Sequence, residues 1–103
     1  MIIHNKLVRD KIPEIIKAAG KECTIELISD NQKVISLLED KALEEWAEYQ
    51  EARSVEEIAD MVEVLLSLSE RLGTSRKDLL KLVDHKADKR GRFEKGIYLI
   101  SVD

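Results

Sequence analysis

The sequence predicts a mainly α protein, an antiparallel helical bundle with a small two-stranded β addition. Three long stretches carry apolar residues at helical spacing, and each is flanked by residues that begin or end helices. Only two short stretches, residues 23–27 and 96–102, have the composition of strands. With 103 residues and no linker or repeat, the chain should form one domain spanning residues 1–103. A core this small favours completion of the bundle by oligomerisation.

The chain should open with a short helix. Asp10 can cap its N-terminus, Pro13 is tolerated in the first turn, and Gly20 should stop it. The segment that follows, residues 23–28, alternates in polarity and should form a strand. Residues 96–102 read as the second strand, free to pair with it.

Two long helices should follow, joined by a tight turn. The first should run from residue 32 to 53. Ser54 and Glu57 form a Ser-x-x-Glu capping box that opens the second, and Gly73 ends it. Because residues 58–68 are apolar almost all round, we expect the second helix to be buried on most sides. Ser75 should cap a third long helix that stops at Gly91.

Composition and charge exclude several classes of function. Aromatic residues make up only 4% of the chain, which argues against a single-strand-binding surface. Residues 39–63 carry a balance of −8 and the rest +4, whereas non-specific binding to nucleic acid needs one dominant basic face. A lone cysteine and the lack of a long apolar run predict a cytoplasmic protein that does not bind membranes.

Four acids define the candidate site. Glu45 and Glu48 extend the stripe that Val34 begins on the first long helix, a core-directed position that is costly for an unpaired acid. The turn at residue 54 can bring this pair opposite Glu57 and Asp60. Judged from the pattern alone, a solvated helix face is at least as good an interpretation. The local excess of acids, with too few bases to neutralise it, favours a cation site.

The ligand types indicate which cation. The cluster offers carboxylates without histidine or cysteine, the set preferred by Mg²⁺, with Mn²⁺ as an alternative, and not by zinc. Magnesium bound in this way usually takes its remaining ligands from water and substrate phosphates. Basic residues near both ends of the chain can hold such phosphates: Lys6, Arg9, Lys86, Lys89 and Arg90. Each of these alone is equally well explained as solvated surface.

The acid pattern, Glu45-x-x-Glu48 and then Glu57-x-x-Asp60, resembles the signature of the all-α nucleoside triphosphate pyrophosphohydrolases, the MazG-like superfamily. The opening NKLVRDKIPEII and the closing KADKRGRFEKGIYL resemble its phosphoribosyl-ATP pyrophosphohydrolase-like subgroup. The resemblance covers nearly the whole chain.

The resemblance implies a MazG-like bundle completed by a partner subunit, as a homodimer or homotetramer. It implies Mg²⁺ bound by Glu45, Glu48, Glu57 and Asp60, and hydrolysis of a nucleotide substrate between its α and β phosphates. Glu44 and Glu63 are then spare acids that could orient water or hold a second ion. The basic residues named above are expected to contact the phosphates.

Two alternatives stay open. The chain could be a non-catalytic helical interaction module that keeps the acids as surface or as a vestigial metal site. It could also be a phosphoribosyl-ATP pyrophosphohydrolase, although no residue marks that substrate over a generic triphosphate. Cys23 is expected to be structural, and Trp46 to pack at a helix or subunit interface.

Overall fold

A computed structural model describes all residues, 1–103, and contains four α-helices. The helices are α1 (Ile12–Ala18), α2 (Asn31–Ala52), α3 (Val55–Arg71) and α4 (Arg76–Arg90). α2 packs along α3, α4 packs against α3 over a shorter length, and α1 packs against no other helix. The predicted mainly α class is confirmed, and the helices are the only regular elements. No helix combines the length and the hydropathy needed to span a bilayer.

Side-chain caps fix the starts of the three long helices. Asp30 accepts a hydrogen bond from the backbone N–H of Gln32 at 3.0 Å, Ser54 from that of Glu57, and Ser75 from that of Asp78. The predicted boundaries therefore agree with the structure to within a residue or two. α2 ends at a left-handed residue, Arg53, which turns the chain back along its own path.

The predicted cap of the first helix is wrong. Lys11, not Asp10, is the N-cap residue, and no side chain caps this helix. Pro13 occupies the first turn, where its missing N–H has no intrahelical partner to lose. The helix is consequently short, and Gly20 follows it with a positive φ of 80°.

The predicted two-stranded addition is also absent. Residues 21–30 and 97–103 are irregular and form no ladder. Most of their apolar side chains are open to solvent, as Leu27 and Tyr98 show with 88% exposure each, and Ile28 is a half-buried exception that contacts the core. A strand needs a neighbour to satisfy its backbone groups, and alternation in the sequence cannot supply one. The two segments form no backbone hydrogen bond with each other.

The apolar core lies between α2 and α3 and is small. Val34 and Leu38 of α2 pack with Val64 of α3, surrounded by half-buried residues from neighbouring segments: Leu7, Ile28, Ala42 and Leu68. The expectation that α3 is buried on most sides is wrong for the single chain, because Ile58 and Leu65 are 42% and 52% exposed. Only one face of α3 is covered by α2.

The single chain is extended and rich in exposed surface. Its radius of gyration is 17.9 Å, against about 13 Å for a compact domain of this length. Its accessible surface is 9325 Å², whereas a folded monomer of 11.8 kDa exposes about 5,900 Å². A large part of the apolar surface therefore has no covering in one copy.

Candidate metal centre

The turn between α2 and α3 brings acids from both helices together. Glu45 lies on α2, seven residues before the helix ends at Ala52, and Glu57 and Asp60 lie in the first turns of α3. One carboxylate oxygen from each of these three residues lies within 4.8 Å of the others. The two acid pairs were predicted to lie opposite each other. Three of the four acids meet this 4.8 Å distance, and Glu48 is the one that does not.

Glu45 is the one buried charged residue of the chain, with 7% of its surface exposed. Its Oε1 lies 3.7 Å from the Lys41 ammonium, but its Oε2 is buried without a hydrogen-bond partner. Burial and the neighbouring Glu48 carboxylate raise the pKa of Glu45 above its ordinary value, and Lys41 only partly opposes this. A cation or a proton beside such a buried, unpartnered oxygen would be stabilising.

Glu57 shows the same signs from the α3 side. Its backbone N–H donates to Ser54, as the capping box requires, but its side chain does not return the bond. Instead, the Oε2 of Glu57 is buried and unpartnered. Burial and the charges of Glu48 and Asp60 raise the pKa of Glu57. The residue therefore contributes its carboxylate to the acid cluster and not to the helix cap.

Glu48 lies at the exposed rim of the cluster, next to the carboxylates of Glu45 and Glu57. It forms no ion pair with any basic residue. Two of the four acids, Glu48 and Glu57, consequently have no cationic partner. The cluster keeps an uncompensated negative charge.

Asp60 does have a basic partner. The guanidinium of Arg9 donates from Nη2 to Asp60 Oδ1 at 2.7 Å. Arg9 comes from the segment before α1, where Leu7 packs against the core and anchors the chain over the acids. The N-terminal segment is therefore one wall of the site.

A divalent cation fits this donor set. The cluster offers several carboxylate oxygens, at least two of them buried and unpartnered, and no nitrogen or sulfur ligand. Hard cations such as Mg²⁺ and Mn²⁺ prefer oxygen ligands of this kind. Charge compensation would also remove the cost of burying Glu45.

The two flanking acids differ from the cluster, because each is held by bases. Glu44 Oε1 lies 3.2 Å from Lys41 Nζ and 3.6 Å from Lys6 Nζ. Partial burial acts to raise the pKa of Glu44, but the two lysines outweigh it and the pKa is lowered. Neither oxygen of Glu44 is buried and unpartnered.

Glu63 is bound still more firmly. Arg76, at the start of α4, pairs with its carboxylate through two nitrogens, and Ser67 donates a hydrogen bond at 2.9 Å. The Arg76 bond lowers the pKa of Glu63, although burial acts in the other direction. Arg76 also reaches Glu70 at 3.1 Å, so this network ties α4 to α3.

The structure brings only two of the predicted phosphate-binding residues near the acids. Lys6 pairs with Glu44 and Arg9 with Asp60. An open groove of about 640 Å³ lies between residues 7–11 and the acid-bearing faces of α2 and α3, and Glu45, Asp60 and Glu63 line it. This groove is the space where a ligand could meet the cluster.

The three predicted basic residues of α4 lie elsewhere. Lys86, Lys89 and Arg90 form no ion pair with the cluster and do not line the groove. Arg90 instead lines a second open groove of about 600 Å³, formed by Ala87 and residues 90–97 at the end of α4. In one copy of the chain, these cations and the acids are not in contact.

The sequence interpretation missed two bases that matter. Lys41 precedes Glu44 and Glu45 by three and four residues, a helical spacing that could have identified it as their partner. Arg76 is thirteen residues from Glu63 and pairs with it across the α3–α4 turn. No local spacing rule could have found that second pair.

Comparison of the chain with protein-family models, with curated proteins and with solved structures found no match.

Proposed function

We propose that the chain is a Mg²⁺-dependent nucleotide pyrophosphohydrolase, with Mn²⁺ able to replace Mg²⁺. The observation that carries the proposal is the buried, unpartnered Oε2 of Glu45 beside the carboxylates of Glu57 and Asp60. An unpaired carboxylate in this position costs free energy that a bound cation recovers. The MazG-like resemblance of the acid pattern supplies the reaction class.

Glu45, Glu48, Glu57 and Asp60 would hold the metal ion. The ion would neutralise the negative charge that develops as a phosphoric anhydride bond breaks. In the reaction, the oxygen of water forms a bond to phosphorus and the bond between the α and β phosphates breaks. The products are a nucleoside monophosphate, pyrophosphate and the proton released from water.

The two kinds of acid suit two different roles toward that water. Glu63 lines the groove, and its lowered pKa keeps it ionised, so it can orient water by accepting a hydrogen bond. Glu45 and Glu57, whose pKa values are raised in the metal-free chain, would act on that water through the ion that they hold. Glu44 is held by two lysines and is therefore better suited to positioning Lys6 and Lys41.

A homo-oligomer, dimeric or tetrameric, is the second part of the proposal. The single chain exposes about 3,400 Å² more than a compact monomer of its mass, which exceeds the total of about 1,200–2,000 Å² buried in a standard interface. Part of this surface is an apolar stripe on α3 and its C-cap residue, on the side away from the acids by helical spacing: Ile58, Val62, Leu65 and Leu72. A second copy would cover it and could bring Lys86, Lys89 and Arg90 to the groove.

Light scattering during size-exclusion chromatography tests the assembly. We expect a mass of two or four times 11.8 kDa. Leu65→Lys places a charge in the α3 stripe and should shift the mass toward the monomer. Leu27→Lys changes an equally apolar side chain in a loop and serves as the matched control. A monomeric wild-type chain with a stable fold would refute this part.

A non-catalytic interaction module is the second candidate, and the same exposed apolar surface favours it. In that case, the acids would be a structural or vestigial metal site. Turnover separates the two candidates, because a module binds without releasing product.

The test is pyrophosphate release from a panel of nucleoside triphosphates and phosphoribosyl-ATP, with Mg²⁺ and then with EDTA. The proposal predicts monophosphate and pyrophosphate in equal amounts, only with metal. Combined Glu48→Gln and Asp60→Asn changes should abolish release while the protein stays folded. Folded protein that binds Mg²⁺ but releases nothing across the panel would favour the interaction module.

A further inference from the structure

Arg9 occupies an unusual position for a base that is to contact a ligand, because its partner is a proposed metal ligand. Its Nη2 lies 2.7 Å from Asp60 Oδ1, and its charge also helps to lower the pKa of Glu63. The guanidinium thus sits between two acids of the α3 face that line the groove. It is the one base from outside α2 that neutralises the cluster itself.

The segment that carries Arg9 is attached independently of this ion pair. Leu7 packs against the core residues Val34, Leu38 and Val64, and Lys6 pairs with Glu44 at 3.6 Å. The Arg9 side chain itself is 58% exposed. Its guanidinium can therefore leave Asp60 by rotating in the groove, without moving the backbone of residues 6–8.

A divalent cation and Arg9 would compete for the negative charge of the Asp60 carboxylate. A carboxylate that ligates a divalent ion gives up much of its attraction for a neighbouring guanidinium, and the two positive charges repel each other. One oxygen, Asp60 Oδ1, cannot hold the ion and the Arg9 guanidinium both at short distance. The guanidinium would then face the open groove with its donors free, in the geometry that suits a phosphate.

We propose that Arg9 is an internal counter-ion that is exchanged on metal binding: it neutralises Asp60 in the metal-free chain, and a divalent cation releases it to bind the polyphosphate of the substrate. This inference rests on the proposed metal site. It makes metal binding and anion binding cooperative, because the ion frees the residue that the anion needs. The exchange also explains why Arg9 lies against Asp60, an acid of the site in which Arg9 would bind the substrate.

The matched variants are Arg9→Gln and Arg92→Gln. Both remove one guanidinium from an ion pair with an aspartate, but Arg92 pairs with Asp84 on the exposed face of α4, at 3.5 Å. Arg9→Lys is the third variant. It keeps the competing positive charge and loses the two-nitrogen contact that a guanidinium makes with phosphate.

Two titrations test the exchange: Mn²⁺ alone, followed by electron paramagnetic resonance, and inorganic tripolyphosphate in saturating Mg²⁺, followed by calorimetry. We expect Arg9→Gln to bind Mn²⁺ about tenfold more tightly and tripolyphosphate at least about tenfold more weakly, each a change of about 1.4 kcal/mol. Arg9→Lys should bind Mn²⁺ like the wild type. Arg92→Gln should behave like the wild type in both titrations.

The outcomes separate the exchange from the metal site. If the wild type binds Mn²⁺ and Arg9→Gln binds it equally or more weakly, the exchange is wrong and the metal site stands. Tighter Mn²⁺ binding with unchanged tripolyphosphate binding would also overturn the exchange, since Arg9 would then not be the anion contact. If the wild type binds no Mn²⁺, both the site and the exchange fail.

Discussion

The acid cluster and the acids that flank it lie within a few residues of each other in the sequence, yet their environments shift their pKa values in opposite directions. Glu45 and Glu57 have buried, unpartnered oxygens, and their pKa values are raised. Glu44 and Glu63 are held by lysine or arginine, and their pKa values are lowered. Proximity in sequence therefore does not decide the role of an acid; the bases that reach it do.

The largest expected difference between the two groups is in metal affinity. Glu45→Gln or Glu57→Gln should weaken Mn²⁺ binding by more than about 100-fold, because loss of a merely supporting contact already costs about 10- to 100-fold. Glu44→Gln, one position from Glu45, should change the affinity by less than about tenfold. Calorimetric titration of the three variants would measure this, and equal losses in all three would remove the distinction.

The second difference concerns the stability of the metal-free protein, and here the signs are opposite. Glu45→Gln replaces a buried, underpaired charge with an amide that can donate to the Glu48 carboxylate. It should raise the free energy of unfolding by about 1 kcal/mol, the lower end of the cost of an unsatisfied buried polar group. Glu44→Gln loses its ion pairs and should not stabilise the chain. Thermal unfolding in EDTA would compare them.

Metal should reverse this order. Wild-type protein in Mg²⁺ at about 100 times its dissociation constant gains about 2.7 kcal/mol. Glu45→Gln should gain almost nothing. A wild-type melting temperature that does not move with millimolar Mg²⁺ or Mn²⁺ would contradict the site.

The pH dependence of stability should also split the two groups. The folded chain holds protons on Glu45 and Glu57 above their ordinary pKa of 4.5, so in EDTA it should lose stability as pH rises above that value. Glu44 and Glu63 act in the other direction, since their stabilising effect is lost as pH falls below 4.5. Melting temperatures from pH 3 to 8, about the range that covers both limbs, should show Glu45→Gln flattening the upper limb alone.

The smallest effect should come from Arg76. It pairs with Glu63 and Glu70 but is 41% exposed, and ion pairs of this exposure are weak. Arg76→Gln should lower the melting temperature only slightly and leave Mn²⁺ affinity unchanged. Circular dichroism and the same titration would measure it. A large loss of Mn²⁺ affinity would mean that the Glu63 network belongs to the metal centre after all.

The parts of this picture that sequence predicts are the local ones. Ser54, Ser75 and Gly91 give the helix boundaries because caps act within one turn. Glu45 could be placed on the buried face of α2 because helical periodicity links it to Val34 and Leu38. The antiparallel turn between α2 and α3 then brings Glu45 close to Glu57 and Asp60.

The parts that sequence could not predict depend on distant partners. The pairing of Arg9 with Asp60 spans 51 residues, and nothing in the spacing identifies it. The prediction of two strands, 23–28 and 96–102, was wrong for a related reason. Alternating polarity shows that a segment can pair as a strand, but it does not identify the segment with which it pairs. The exposure of α3 illustrates the same limit, because its apolar composition predicted burial but not which surface would cover it.

The central claim is that Glu45 and its neighbours bind a divalent cation, and Mn²⁺ titration of the wild type beside Glu45→Gln and Glu44→Gln tests it most directly. The account predicts saturable binding by the wild type and by Glu44→Gln, and its loss in Glu45→Gln. Absence of binding by the folded wild type, or binding that survives Glu45→Gln unchanged, would contradict it.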